Sequence, residues 1–477
     1  MTTEALFELI EKVISSRAES QNIEIKAAKE GCPKRLYDTL SAFSNNDEGG
    51  IILFGIDESA GFEKCGVYDL QDLQLKITEQ CNSMTPKVRP FFSYAEKDGK
   101  YFLSAEIPPI DITERPCYYN GGGRLRGSFV RVGTCDEPMT EYEIYSYEAY
   151  RKKYQDDVRP APRVTPEAIN ENELNRYLDL IRENKPNLAR MDRKQILELM
   201  SIVVNDSYSL AATLLFSYYP QAFFPQLAII ATALPSGEVG STSEDSIRFL
   251  DNKRIEGTIG EMLQEALKFV AKNTRTKTII DTVTGQRKDE PEYPLTAVRE
   301  ILLNALVHRD YSIHTEGMPI QLQIFPDRIV ITSPGGLYGR ITVDQLGKVQ
   351  PDTRNPVLAT ILEIMQITEN RYSGIPTVRR LMAQRGLPDP KFENERGNFR
   401  VTLYNQKNFM DISPWDQRIL EYCKTPRTRE EIARFLVIAS VPYAIKTYIM
   451  PLVTNGLLQL TIPEHPRSRH QKFYTKK

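Results

Sequence analysis

The stretch EILLNALVHRDYS, residues 300–312, predicts a helix that is apolar around almost its whole circumference. Its polar side chains Glu300, Asn304 and His308 follow one another at intervals of four residues. Residues spaced by four lie above one another on a helix, so these three form a narrow stripe on an otherwise buried element. Such a stripe either lines a binding site or satisfies its own neighbours, and the residues alone leave both interpretations open.

Composition places this helix in a globular protein with several domains, of the α+β class. The 477 residues suggest about three domains, at roughly 100–200 residues each. The apolar fraction of 41% and the charged fraction of 26% are typical of folded domains. The six cysteines contain no CxxC pair, which argues against a structural zinc site. Neither a long apolar run nor a signal-peptide pattern occurs, so we expect a cytoplasmic protein without membrane contact.

The N-terminal region, predicted as a domain over residues 1–150, contains an alternating strand in NIEIKAA. This pattern predicts Glu24 and Lys26 on a charged outer face, roughly 7 Å apart along the strand. Asp57 ends a second predicted strand, IILFGID, which follows a glycine turn. Carboxylates that converge beside a lysine can hold Mg²⁺ or Mn²⁺ and stabilise charge on a phosphate under attack.

The segments ESQNIEIK, SAFSNNDEGGIILFGIDE and RGSFVRVGT resemble the Schlafen AlbA-type domain. That resemblance implies a metal site of three carboxylates, Glu19, Glu24 and Asp57, with Lys26 beside it, which cleaves RNA. Other members of the family bind DNA or regulate without cleavage. The alternative from the residues alone is a surface Glu/Lys pair and an unrelated turn aspartate.

Residues 165–290 are predicted to be a connecting α/β region, followed by a domain at 291–408. Within the latter, REILLNALVHRDYS, IFPDRIVITSPGGL and RNPVLATIL resemble a GHKL-type ATP-binding domain, in the divergent form related to the C-terminal region of a DNA helicase. The resemblance implies that Asn304 binds the magnesium that bridges the ATP phosphates and that Glu300 orients the attacking water. It also implies that Gly335, Gly336 and Gly374 approach the nucleotide.

Two positions depart from that family pattern. Ser333 stands where GHKL proteins place the aspartate that reads adenine, and the second glycine box retains only Gly374. The sequence therefore predicts nucleotide binding and leaves ATP hydrolysis open. Related ATP-binding domains pair, so we also expect a homo-oligomer.

The C-terminal region, residues 411–477, has a different character. From Lys424 to Lys477 it carries ten basic and three acidic side chains, a net charge of +7, although the whole chain has a net charge of −2. Its short helical patterns and final strand pair predict a winged helix with Arg467, Arg469 and Lys472 in the wing. Such side chains bind phosphates without reading sequence. A basic interaction module is the alternative.

Together these features predict a nucleic-acid-binding protein and allow two hypotheses about its activity. In the first it is a metal-dependent nuclease acting on RNA or DNA and regulated by a nucleotide-binding domain. In the second it is a non-catalytic transcriptional regulator that binds DNA and ATP. Turnover of labelled nucleic acid separates the two hypotheses.

Overall fold

A computed structural model describes residues 1–236, 248–280, 287–368, 373–395, 397–405, 414–436, 438, 440–454, 457–462, 468 and 471–475. The predicted class, α+β with several domains, is confirmed by its mixed helices and sheets. Among these residues no helix is long and apolar enough to span a membrane.

The N-terminal region forms a four-stranded sheet with helices packed against it. Its helices are α1 Thr3–Ser16, α2 Tyr37–Ser44, α3 Leu70–Asn82, α4 Gly123–Gly127 and α5 Glu141–Lys152. Its strands are β1 Ile23–Lys26, β2 Gly50–Phe54, β3 Ile56–Asp57, β4 Glu63–Lys64, β5 Met84–Thr85, β6 Phe91–Lys97, β7 Lys100–Ile107, β8 Tyr118–Tyr119, β9 Phe129–Val132 and β10 Cys135–Pro138. The sheet has the order β1-β2-β7-β6, in which only the β1–β2 pair is parallel.

Two details of this sheet differ from the sequence prediction. The predicted strand IILFGID is broken at Gly55, whose φ of +104° lies outside the range that strands adopt. The prediction that Glu24 lies on an outer, charged face of β1 is wrong, because this residue is only 8% exposed. A side chain from β9 covers that face, a long-range contact that the alternation of polar and apolar residues in β1 does not encode.

The middle of the chain, residues 171–404, contains more helices and strands than the C-terminal part. Its helices are α6 Glu171–Asn184, α7 Arg193–Leu199, α8 Leu210–Phe216, α9 Ile259–Asn273, α10 Leu295–His308, α11 Pro356–Ile364 and α12 Gly374–Gln384. Its strands are β11 Val203–Val204, β12 Ser207–Tyr208, β13 Ile229–Ala233, β14 Asp251–Ile255, β15 Thr276–Ile280, β16 Arg287–Pro291, β17 Ile320–Ile324, β18 Arg328–Pro334, β19 Lys391–Glu395 and β20 Asn398–Tyr404.

A six-stranded sheet with the order β14-β13-β17-β18-β20-β19 organises this part. Its β13–β17 pair is parallel, and such a pair needs a long crossover, which here contains α9 and α10. One hydrophobic core extends from Ala161 to Leu403. Strands from the predicted connecting region (165–290) and from the predicted nucleotide domain (291–408) therefore share one sheet, while the domain boundaries themselves stay predictions.

Helix α10 lies buried in this core, as the opening stretch predicts. Its apolar side chains pack on the sheet and on α9 and α12. The helix ends at His308 because Arg309 adopts an extended ψ of 157°. The last residues of the quoted stretch therefore form a buried turn, in which Asp310 and Tyr311 are respectively 3% and 2% exposed.

The C-terminal part forms its own small core. Helices α13 Pro414–Tyr422, α14 Arg429–Phe435, α15 Val441–Ala444 and α16 Met450–Thr454 accompany strands β21 Arg427–Thr428, β22 Leu458–Leu460 and β23 Lys472–Thr475. The strands form an antiparallel sheet of order β21-β23-β22. The winged-helix assignment for this region stays a prediction.

Candidate nucleotide pocket and N-terminal ionic cluster

The polar stripe of α10 faces a cavity of about 520 Å³. Glu300, Asn304 and His308 all line it, opposite residues that include Gly335 and Arg354. The Asn304 side chain has no hydrogen-bond partner within the described part of the chain. The stripe therefore borders a cavity, and its role in binding stays a prediction.

His308 is held neutral by its surroundings. It is exposed toward the cavity, and desolvation by the surrounding protein atoms together with the positive charge of Arg354 lowers its pKa to about 4. A neutral imidazole can accept as well as donate a hydrogen bond. The end of the stripe nearest the glycine turn is therefore polar and uncharged at neutral pH.

The three glycines that are predicted to approach the nucleotide lie close to side chains of the protein itself. A Cβ on Gly335, whose φ is +97°, would lie 2.6 Å from Arg354 Nη1, and a Cβ on Gly336 would lie 2.6 Å from Asn394 Oδ1. A Cβ on Gly374 would lie 2.1 Å from Glu300 Oε1. All three glycines line the cavity. Because these glycines have no side chains, their backbone can pack directly against the polar side chains of Arg354, Asn394 and Glu300.

Ser333 occupies the position at which the family resemblance leads one to expect an adenine-reading aspartate. Its hydroxyl donates a hydrogen bond to the carbonyl oxygen of Ala305 over 3.0 Å. The side chain thus joins β18 to α10, and the residue is 5% exposed. An adenine ring in this cavity would need another polar partner.

Arg354, which precedes α11, is the cavity residue that sequence reasoning missed. Its side chain is 6% exposed, and its Nη1 lies 2.9 Å from Asp310 Oδ2. Nη2 donates to the carbonyl oxygen of Gly336 over 3.1 Å. Nothing in the segment TRNP singles out this arginine, because its burial depends on contacts with segments distant in sequence.

Glu19 and Glu24, which the sequence predicts to bind a metal ion, lie within ion-pair distance of Arg131. Arg131 Nη2 lies 2.8 Å from Glu24 Oε2 and 3.8 Å from Glu19 Oε2, and Arg131 Nη1 lies 2.8 Å from Asp136 Oδ1. Lys26 also pairs with Glu24. Burial is the main cause of the raised pKa of Glu19, and the Glu24 charge adds to it.

The inward orientation of Arg131 is visible only in the structure, because three of the four residues in FVRV are apolar and the segment does not alternate between polar and apolar residues. In the folded chain the residues of FVRV alternate between buried and more exposed, and Arg131 stands at a position that faces inward. A buried arginine needs a partner, and acidic residues of the same domain are the natural candidates. The sequence pattern does not say which acidic residues those are.

Asp57 does not join this cluster. Its carboxylate turns back on its own chain and accepts hydrogen bonds from the backbone N–H groups of Ser59 and Ala60 and from the Ser59 hydroxyl. The neighbouring Glu58, and not Asp57, contributes to the raised pKa of Glu19. Among the described residues no group of three His, Cys, Asp or Glu side chains could hold a metal ion. The predicted three-carboxylate convergence is therefore not found, because a local turn captures Asp57.

Two basic surfaces accompany these sites. A cleft of about 350 Å³ in the N-terminal region is lined by Lys34 and Arg126 and by Tyr37 and Tyr119, whose rings stack with centroids 3.8 Å apart. Arg35 also lines it and pairs with Asp38 of the same cleft over 3.1 Å. In the C-terminal region the predicted contact Lys472 is exposed at the start of β23. The other two predicted contacts, Arg467 and Arg469, lie outside the described residues.

Three family models match separate parts of the chain. Residues 19–140 match "Schlafen, AlbA_2", and residues 317–403 match "Putative ATP-dependent DNA helicase recG C-terminal". Residues 417–474 match "Filamentation induced by cAMP protein Fic-like, C-terminal domain". The first two matches confirm the predicted resemblances to a Schlafen domain and to a helicase-related ATPase-like domain. They indicate a protein that binds nucleic acid.

Solved structures give weaker likenesses. A crystal structure of a protein from Corynebacterium diphtheriae is 19% identical, covers 93% of this chain and 92% of its own, and has a TM-score of 0.38. The N-terminal domain of a RecG-related protein from Nitrosomonas europaea is 28% identical, covers 29% of this chain and 95% of its own, and has a TM-score of 0.24. No curated protein matches the chain.

Proposed function

We propose that this protein binds nucleic acid without cleaving it and that a nucleotide bound with Mg²⁺ in the cavity beside α10 regulates this binding. The observation that supports the proposal most directly is the cavity wall itself. Asn304 faces open space without a protein partner, and a buried arginine lines the same cavity. Polar groups that converge in a concave and largely apolar site are typical of ligand pockets.

The residues present fit a nucleotide and its metal ion. The volume of about 520 Å³ lies within the range of small-ligand pockets. The Asn304 carbonyl would supply a hard oxygen ligand to Mg²⁺, and Arg354 would bind phosphate oxygens. A bound Mg²⁺ neutralises phosphate charge. Glu300 lines the same wall and is the candidate base. An ATPase assay tests whether it activates water.

The N-terminal region supports binding better than cleavage. Arg131 and Lys26 already compensate the charge of Glu24, and Asp57 is engaged in its own turn. A basic cleft with an aromatic pair lies elsewhere in the same region. Cationic side chains beside aromatic rings are the usual means of holding a single nucleic-acid strand. We therefore assign nucleic-acid binding to the cleft and a structural role to Glu24 and Asp57.

The nucleotide site is tested by thermal unfolding with and without ATP and Mg²⁺. A specific ligand at about 100 times its dissociation constant stabilises the native state by about 2.7 kcal/mol. We expect the wild-type protein to show such a shift and Asn304→Ala to lose it, because the metal ligand is gone. The matched control is Asn184→Ala on α6, whose amide bonds only to a carbonyl of its own helix.

The control should keep the full shift. A wild-type protein that no nucleotide stabilises would overturn the proposed site. If Asn304→Ala and Asn184→Ala lose the shift equally, the effect is not specific to the cavity.

A further inference from the structure

Arg354 is a buried cation in the wall of the cavity, and its hydrogen bonds are incomplete. Its Nε and Nη1 atoms are buried and make no hydrogen bond, although Nη1 lies 2.9 Å from Asp310 Oδ2 as an ion pair. Burying polar N–H groups without hydrogen bonds is costly, and an arginine presents its donors in a rigid fork that matches phosphate oxygens. This side chain also lines the cavity, so it brings a positive charge and the shape of a phosphate-binding fork to the cavity wall.

The position of Arg354 depends on a residue outside the cavity. Asp310 is 3% exposed and holds the guanidinium group by the ion pair. The Tyr142 hydroxyl donates a hydrogen bond to the same oxygen, Asp310 Oδ2, over 2.7 Å. Neither Asp310 nor Tyr142 lines the cavity. Tyr142 thus contacts the cavity wall indirectly, and one of its routes is through Asp310 to Arg354.

Tyr142 belongs to α5, the helix that joins the N-terminal region to the rest of the chain. Toward the cavity, Tyr150 of α5 donates a hydrogen bond to Asp352 Oδ2 over 2.8 Å. Toward the N-terminal region, Glu148 of the same helix pairs with Arg124. One helix therefore contacts the wall of the nucleotide cavity and the region that carries the basic cleft.

We propose that Arg354 binds the phosphates of the nucleotide and that Tyr142, through Asp310, positions it. This inference rests on the proposed function. Because coupling between two sites is reciprocal, a nucleotide that needs the positioned Arg354 also stabilises the docked α5. Occupancy of the cavity is thereby transmitted to the helix that carries the N-terminal region, which is how a nucleotide would control nucleic-acid binding.

The test compares ATP, inorganic tripolyphosphate and adenosine on the full-length protein by calorimetry. Tyr142→Phe removes one hydroxyl and keeps the ring. We expect it to weaken ATP and tripolyphosphate binding about tenfold, the scale of a hydrogen bond to a charged group, and to leave adenosine binding unchanged. A general loss of structure would weaken all three ligands alike. Arg354→Lys, which keeps the charge and loses the fork, should show the same selectivity.

The matched control is Tyr147→Phe on the same helix, whose side chain lies beside Arg115 of the N-terminal region. It should leave all three affinities unchanged. Hydrogen exchange of residues 141–152 should slow when ATP is added to the wild-type protein but not when it is added to Tyr142→Phe. Normal ATP affinity in Tyr142→Phe overturns this inference and leaves the nucleotide site standing. A wild-type protein that binds neither ATP nor tripolyphosphate overturns both.

Discussion

Among individual residues, Arg131 determines what the carboxylates Glu19 and Glu24 of the N-terminal region can do chemically. Its side chain is 1% exposed and lies within ion-pair distance of Glu24, Glu19 and Asp136. A buried ion-pair network of this kind is disrupted when one member loses its charge, since the remaining charges keep their desolvation cost. The same carboxylates in a metal site would instead repel one another until the metal binds.

These two roles predict opposite effects of Glu24→Gln. In the ionic cluster the change removes a partner of Arg131, and we expect the free energy of unfolding to fall by about 1–3 kcal/mol, because Asp136 still pairs with the guanidinium group. In a metal site the same change would relieve repulsion and stabilise the metal-free protein. Urea unfolding in the absence of divalent ions distinguishes the two.

Glu8→Gln on α1 is the control, because that glutamate is exposed and should change stability little. A cleavage assay with Mn²⁺ and labelled RNA accompanies the unfolding measurement. Stabilisation by Glu24→Gln together with loss of cleavage would restore the nuclease reading.

At the scale of elements, helix α11 is tied to the chain that follows α5. The Asp157 Oδ2 atom accepts hydrogen bonds from the backbone N–H groups of Val357 and Leu358, at 2.9 and 3.0 Å, in the first turn of α11. Asp157 is 1% exposed, and burial raises its pKa to about 6 despite these two hydrogen bonds. A carboxylate distant in sequence thus caps the helix that follows Arg354.

We predict a pH effect from this cap. Between the ordinary pKa of 3.8 and the folded pKa of about 6, the native state holds the Asp157 proton more tightly than the unfolded state does. The free energy of unfolding contributed by this group therefore falls as pH rises through that window, by at most about 1.4 kcal/mol per pH unit. Asp157→Asn keeps an oxygen acceptor for the cap and should remove this contribution.

The measurement is chemical unfolding of the wild-type protein and Asp157→Asn at several pH values from 4 to 7. The difference between their stabilities should change with pH, whereas Asp206→Asn, at an exposed turn, should follow the wild-type profile. Parallel profiles for Asp157→Asn and the wild type would show that burial does not raise this pKa.

At the scale of the whole molecule, the basic surfaces lie in two separate regions while the net charge is only −2. The N-terminal cleft is lined by basic side chains, and the C-terminal region carries a net charge of +7. Attraction to nucleic acid must therefore come from local patches and not from the net charge of the whole protein. Contacts from patches on different parts of a molecule should contribute independently.

The prediction concerns the salt dependence of nucleic-acid affinity. Replacing Arg467, Arg469 and Lys472 by Gln should reduce the slope of log affinity against log salt by up to about 0.9 per lost phosphate contact on duplex DNA, or about 0.7 on a single strand. Replacing Lys34 and Arg126 should reduce it separately, and the two reductions should add. Fluorescence anisotropy of labelled oligonucleotides at several salt concentrations measures both.

A control variant with Lys12, Lys185 and Arg190 replaced removes three charges from exposed positions elsewhere, as many as the C-terminal triple variant does. It should lower affinity slightly and leave the slope nearly unchanged. If both test variants behave like this control, phosphate contacts lie on another surface. The predicted homo-oligomer can be checked on the same samples by sedimentation with and without ATP.

The local elements and the family resemblances could be predicted from patterns of residues along the chain. The α10 helix, its polar stripe and the α+β class follow from residue periodicity, which depends only on neighbours along the chain. The Schlafen and helicase-related segments are likewise continuous stretches of sequence. Three features became visible only in the folded chain: the contact of Arg131 with Glu24, the turn that holds Asp57, and the position of Arg354 in the cavity wall. These outcomes depend on side chains that are far apart in the chain and meet only when the sheets pack, which no local pattern encodes.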